Sequence, residues 1–178
     1  LADIGQNIVE EISLVTAGAN LGWNTWEGSF QFISRSGVSL SNPRGDAALT
    51  YPVAEYGQED PLLQRSSAAT GLHVYRSDAI PELANLVLFG DNPSGEVFYV
   101  QADGLPSGGQ DAIRRILLND SGDGKTLLQV IREKNTEQGR SPAGRADLRF
   151  GSGPDGQVFL LNKRDGVIRL LVSIRGSR

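Results

Sequence analysis

One pattern, V/L-x-F-G-x-x-x-x-G-x-V-F, occurs twice in this chain of 178 residues. Val87, Phe89, Gly90, Gly95, Val97 and Phe98 correspond to Leu148, Phe150, Gly151, Gly156, Val158 and Phe159, each pair 61 positions apart. Downstream, Asp103-Gly104 followed by Ile113-Arg114 is echoed by Asp165-Gly166 followed by Ile168-Arg169. A period of this length marks a supersecondary unit that buries its apolar face only against a neighbour. Each copy reads as short strands separated by turn residues. The first holds LHVYR (72–76), NLVLFGD (85–91), GEVFYVQA (95–102) and AIRRILL (112–118). The second holds TLLQVIR (126–132), ADLRFG (146–151), GQVFLLN (156–162) and GVIRLLVSI (166–174).

Four strands per unit at a period near 60 predict an all-β chain of β-propeller type. It would comprise about two complete four-stranded blades, 67–120 and 121–178, and part of a third with long loops, 1–66. Within 1–66, VEEISLV (9–15) is the one clear strand. Helical spacing offers an alternative for QDAIRRILLND and for TLLQVIREKNTEQG, the latter ending at Gly139; the repeat favours strands in both. Such an open array leaves edge strands unpaired and is expected to be marginal or self-associating alone.

Charge and composition narrow the chemistry. Seventeen Lys and Arg against 21 Asp and Glu leave a net charge of −4, which suits neither nucleic acid nor an anionic membrane. No apolar run approaches the ~20 residues of a membrane span. With no Cys, disulfides and thiolate metal sites are excluded. The opening LADIGQ has no signal-peptide character and reads as a chain cut from something longer.

Several motifs invite specific readings. GSGPDG (151–156) satisfies G-x-G-x-x-G, but a strand rather than a helix follows, so Asp155-Gly156 reads as a hairpin turn. NDSGDGKTLLQV (119–130) lacks the acidic twelfth residue of a calcium loop and reads as a polar turn. His73, the single histidine, sits among apolar neighbours in a strand and reads as structural. Glu10 and Glu11 should face opposite sides of their strand, one solvated and one inward, and so share no acid–base site.

The segment ADIGQNIVEEISLVTAGANLGWNTWEG resembles the D-V/I-G-Q-x-x-x-E-E-I-x-x-V/I-x-x-G-x-N-x-G-W-x-x-x-E-G stretch of glucose/sorbosone dehydrogenase-like propellers. TGLHVYRSDAIPELANLVLFGDNPSGEVF and DLRFGSGPDGQVFLLNKRDGVIRLL resemble that family's last blades. The resemblance implies the C-terminal part of a six-bladed, periplasmic or secreted propeller whose N-terminal blades are missing partners of this chain. Its enzymes bind pyrroloquinoline quinone (PQQ) with Ca²⁺ and oxidise a sugar or similar polyol. Carried over, it implies Ca²⁺ ligation by the carbonyls of Gly5 and Gln6. A second Ca²⁺ would use Glu11 and the carbonyl of Leu21. PQQ contacts are implied at Ser66 and Arg145. The family's catalytic histidine has no counterpart here, and His73 does not inherit its role. The family's hairpin lysine is replaced by Asp91-Asn92-Pro93-Ser94. Its R-x-R-D motif is replaced by Gly144-Arg145-Ala146-Asp147, with Arg145 one residue out of step and expected on the opposite strand face. Those departures imply the alternative of a non-catalytic propeller binding carbohydrate or protein, as hedgehog-interacting relatives do.

Overall fold

The computed structural model describes residues 1–58, 67–120 and 122–174. Two units are distinguished, Leu1–Ala69 with Leu105–Ile113 and Thr70–Gly104 with Arg114–Arg178. Both are built of short antiparallel strands, as the density of turn residues requires. No helix among the described residues is long and apolar enough to cross a membrane.

In the first unit the strands are β1 (Ala2–Asp3), β2 (Val9–Ile12), β3 (Trp26–Glu27), β4 (Phe30–Ser34), β5 (Gly37–Ser39) and β6 (Ala54–Gly57). They form two three-stranded sheets, ordered β1-β2-β6 and β3-β4-β5. Where VEEISLV alone reads as a clear strand in the sequence, six strands lie among the described residues 1–58. β2 is buried along its whole length, Glu10 and Glu11 included. The expected solvated glutamate does not exist; each finds its own partners inside.

The second unit opens with β7 (Ala69–Tyr75), β8 (Leu86–Asp91), β9 (Val97–Gln101) and β10 (Arg114–Ile116), a four-stranded sheet in which chain neighbours lie side by side. This is the blade-like meander expected of the first repeat. β8 is buried at every position, the signature of a strand covered on both faces. A two-stranded ribbon, β11 (Leu118–Asp120) and β12 (Asp123–Lys125), follows as the predicted polar turn.

The second repeat departs from the first. TLLQVIR is not a strand: α1 (Leu127–Glu137) occupies it. Thr126 caps the helix in a reciprocal box with Gln129, satisfying two amides that a helix start leaves open. Leu127, Leu128, Ile131 and Asn135 form its buried stripe, and Gly139 follows the C-terminus with φ of 67°. Local capping and a stripe fit for burial outweigh the analogy with the first repeat. The sheet that follows is three-stranded, β13 (Arg149–Ser152), β14 (Val158–Leu161) and β15 (Arg169–Leu170). Val97, Leu127, Leu128, Ile131, Ala146, Leu148 and Leu160 pack as one cluster, so α1 covers apolar surface on which a fourth strand was expected.

The two V-F stretches lie in different sheets, and Gly156 leads into β14 rather than a helix. Their hairpins differ by one residue of register. Gly90 faces Val97 in the first, whereas Gly151 faces Phe159 rather than Val158 in the second. The cause is the turn. Asp91 N–H donates to Glu96 O in the first; in the second the turn closes one residue tighter, Gly153 N–H donating to Gln157 O.

Candidate functional site

Residues 145–148 lead into β13, and burial alternates along 145–149. Ala146 and Leu148 are wholly buried, which turns Arg145, Asp147 and Arg149 together to the other side. Arg145 therefore shares its side with Asp147 and Arg149. Lys163 and Arg164, in the turn after β14, and Asn92, in the turn after β8, complete an open depression of about 460 Å³.

Asp147 organises the cations. Its Oδ1 lies 2.6 Å from Arg145 Nε, and its Oδ2 lies 2.6 Å from Arg164 Nε and 3.8 Å from Lys163 Nζ. Burial pushes the Asp147 carboxyl up, but Arg164 and Arg145 outweigh it and hold the group below the usual carboxylate range. The residue adopts φ of 55°, a left-handed conformation costly for anything but glycine and tolerated best by Asp and Asn. Arg145 also donates from Nη2 to Asn92 Oδ1. Arg149 Nη1 donates to Thr70 Oγ1 at 3.0 Å and to Leu148 O at 2.7 Å. Four cations and one carboxylate therefore line the depression, on a chain whose net charge is −4. A concave surface with that surplus is suited to a ligand carrying several carboxylates, which arginine recognises through paired N–H donors.

Carboxylates concentrate in the first unit. Glu27 Oε1 accepts from the backbone N–H groups of Asn7, Ile8 and Val9, while its Oε2 is buried without a partner among the described residues. Glu11 Oε1 accepts from Gly28 N–H at 2.6 Å, and Glu55 accepts from Ser29 N–H and Gly109 N–H. Burial, with the nearby Asp3, Glu55 and Glu27, pushes the Glu11 carboxyl up to about 7 despite the Gly28 hydrogen bond. Glu10 uses other partners, Gln58 Nε2 at 2.6 Å and Ala69 N–H at 2.5 Å. Of the carbonyls expected to ligate calcium, Gly5 O accepts from Gln58 Nε2 at 3.2 Å; Gln6 lies half-buried beside it and Leu21 half-buried before β3. Among the described residues no three acidic or histidine side chains converge to hold a metal on their own, so carbonyl oxygens would have to complete any coordination sphere. The hard-oxygen donor set and the unpartnered Glu27 oxygen suit Ca²⁺ in kind.

Ser66 lies outside the described residues. His73 Nδ1 sits 2.9 Å from Ser152 Oγ on the half-exposed side of β7, and burial lowers its pKa. Among the described residues no carboxylate hydrogen-bonds to it, so the pair lacks the third member that would orient a base. Sequence reasoning named Arg145 but missed Arg149, Lys163 and Arg164. The alternation of RADLR and the basic pair in NKRDG carried the signal.

No family model matches the chain. It is 33% identical over 93 residues to the HIPL2 protein of Arabidopsis thaliana, covering 51% of this chain and 13% of that protein. The HIPL1 protein of the same plant is 30% identical over 91 residues, with the same two coverages. The match thus spans about an eighth of each plant relative. Over 96% of its length the chain superposes on 39% of the soluble aldose sugar dehydrogenase of Escherichia coli, solved in its apo-form, with a TM-score of 0.52 and 21% identity. At that identity the likeness is one of fold: separate antiparallel sheets in the manner of part of a β-propeller.

Proposed function

We propose that this chain is part of a sugar-dehydrogenase-like propeller that binds PQQ with Ca²⁺ and, in the whole protein, oxidises a sugar hydroxyl. The observation that carries the reading is the meeting of two separate segments, Asn92 and Arg145–Arg149, at one cation-lined depression large enough for a planar polycarboxylate. Arg145, Arg149, Lys163 and Arg164 would hold the carboxylates, and Asp147 keeps two of those guanidiniums in place. When bound, the quinone supplies the hydride acceptor. The carbonyls of Gly5 and Gln6 would serve the cofactor's Ca²⁺, and Glu11 with the carbonyl of Leu21 a second Ca²⁺. Ser66 would add a hydroxyl contact. No catalytic base is assigned within this chain.

Asp91 favours the second reading, a non-catalytic propeller that binds carbohydrate or protein. It stands in the hairpin where the quinone enzymes carry a lysine, and it is spent on its own turn, accepting from Ser94 N–H at 2.7 Å.

Titration of the chain with PQQ, followed by the quinone absorbance, separates the two. Saturable binding in the micromolar range is expected, and Arg145→Gln should weaken it about 10- to 100-fold, the worth of one charge-assisted contact. Arg145 is half exposed, so this change should leave the fold intact. No spectral shift in the wild-type chain, or equal affinity in the variant, would favour the non-catalytic reading.

A further inference from the structure

A smaller depression of about 200 Å³ adjoins the first, sharing Lys163 and Arg164 as a common wall. Its other walls come from the last turns of α1 and the loop behind it, through Asn135, Arg140, Ser141 and Ala143. Asn135 is buried and holds this shape. Its Nδ2 donates to Arg164 O at 3.0 Å, its Oδ1 accepts from Ala143 N–H at 3.1 Å, and its carbonyl accepts from Arg140 N–H at 2.8 Å. The loop geometry is therefore set by the protein before any ligand arrives.

The lining is cationic, with no carboxylate in it. Arg164 is committed to Asp147 through Nε. Among the described residues the Arg140 guanidinium makes one long hydrogen bond, 3.3 Å from Nη1 to Gln138 Oε1, and Lys163 Nζ stands 3.8 Å from Asp147 with its side chain 79% exposed. Two positive groups thus face the depression with little neutralisation and are free to pair with an anion that enters it. The space exceeds what a lone oxyanion fills, and Ser141 adds a hydroxyl that can donate or accept.

We infer that the smaller depression is a subsite for an acidic sugar, its carboxylate held by Arg140 and Lys163 and a ring hydroxyl by Ser141. Lys163 is shared with the larger depression, whereas Arg140 and Ser141 do not line it, so changing Arg140 tests this subsite without touching a group assigned to the quinone.

Calorimetric titration of the chain with glucuronate, glucose and inorganic phosphate tests it. Glucuronate is expected to bind at least about tenfold more tightly than either of the others, and Arg140→Gln should weaken it about tenfold. Arg35→Gln, on the exposed loop between β4 and β5, should change nothing. Arg140 is exposed, and an unchanged far-ultraviolet spectrum confirms the fold of that variant. Absence of glucuronate binding, glucose binding as tightly, phosphate binding as tightly, or an indifferent Arg140→Gln variant would each overturn the assignment. If PQQ still binds while glucuronate fails, only the acidic-sugar subsite is lost.

Discussion

Alanine at Leu148 is expected to lower the unfolding free energy of the chain by about 2–5 kcal/mol, the range for emptying a fully buried leucine site. Leu148 has no exposed surface and packs with Val97, Leu127, Leu128, Ile131 and Leu160. It also fills the space that the missing side chain of Gly90 leaves open, so this pair sets how closely β8 and the 145–149 segment approach. Close packing means that such a void is not recovered by small adjustments. The backbone should also feel the change, because Leu148 O accepts from Arg149 Nη1 and Asn92 Nδ2, both groups of the cation-lined depression. PQQ affinity is therefore expected to fall along with stability, even though Leu148 points away from the ligand. Urea unfolding at fixed temperature measures the first effect. A loss below about 1 kcal/mol would mean that Leu148 is not the keystone described here.

Stability should also fall as pH rises from about 4.5 to about 7, in buffer containing a chelator. In the unfolded chain Glu11 ionises near its ordinary value of 4.5, whereas burial keeps it protonated in the fold until about 7. Below that window both states hold the proton and the burial penalty is absent. Within it the folded state retains a proton that the unfolded state has released, so each unit of pH weakens the fold; above it the loss levels off. The total reaches up to about 3 kcal/mol. Glu11→Gln should abolish the slope, since the amide never ionises. Under the calcium reading, adding Ca²⁺ at pH 7.5 should restore the wild-type protein by charge neutralisation and preferential binding to the fold. A wild-type stability that is flat or rises across this window would show that Glu11 is not the buried, cation-poor carboxylate described.

The repeat was legible because blade-like strands carry it in side chains that must be buried, Val87, Phe89, Val97 and Val158 among them. What it could not convey was that the second copy trades a strand for α1. The deciding residues, Thr126 and Gln129, act through backbone hydrogen bonds and leave no mark on the apolar pattern that defines the repeat. Nor could it convey the slip of register at Gly153–Gln157, which depends on which amides close the turn. The buried carboxylates were hidden for a related reason. Glu27 and Glu55 accept from amides 18 to 54 positions away, so each reads as an ordinary surface charge in sequence. Arg145 was visible from its neighbours, but its direction was not. That direction is fixed by Ala146 and Leu148 going inward to pack against α1, the helical alternative that the repeat outweighs in the sequence.

The central claim is that Arg145, Arg149 and Arg164 line one anion-binding depression, and arginine-selective chemical modification read by mass spectrometry addresses it directly. With saturating PQQ, these three side chains are predicted to be protected together by about tenfold or more, while exposed Arg35 and Arg76 react as before. Uniform reactivity at all five arginines, or protection confined to Arg35 or Arg76, would contradict the account.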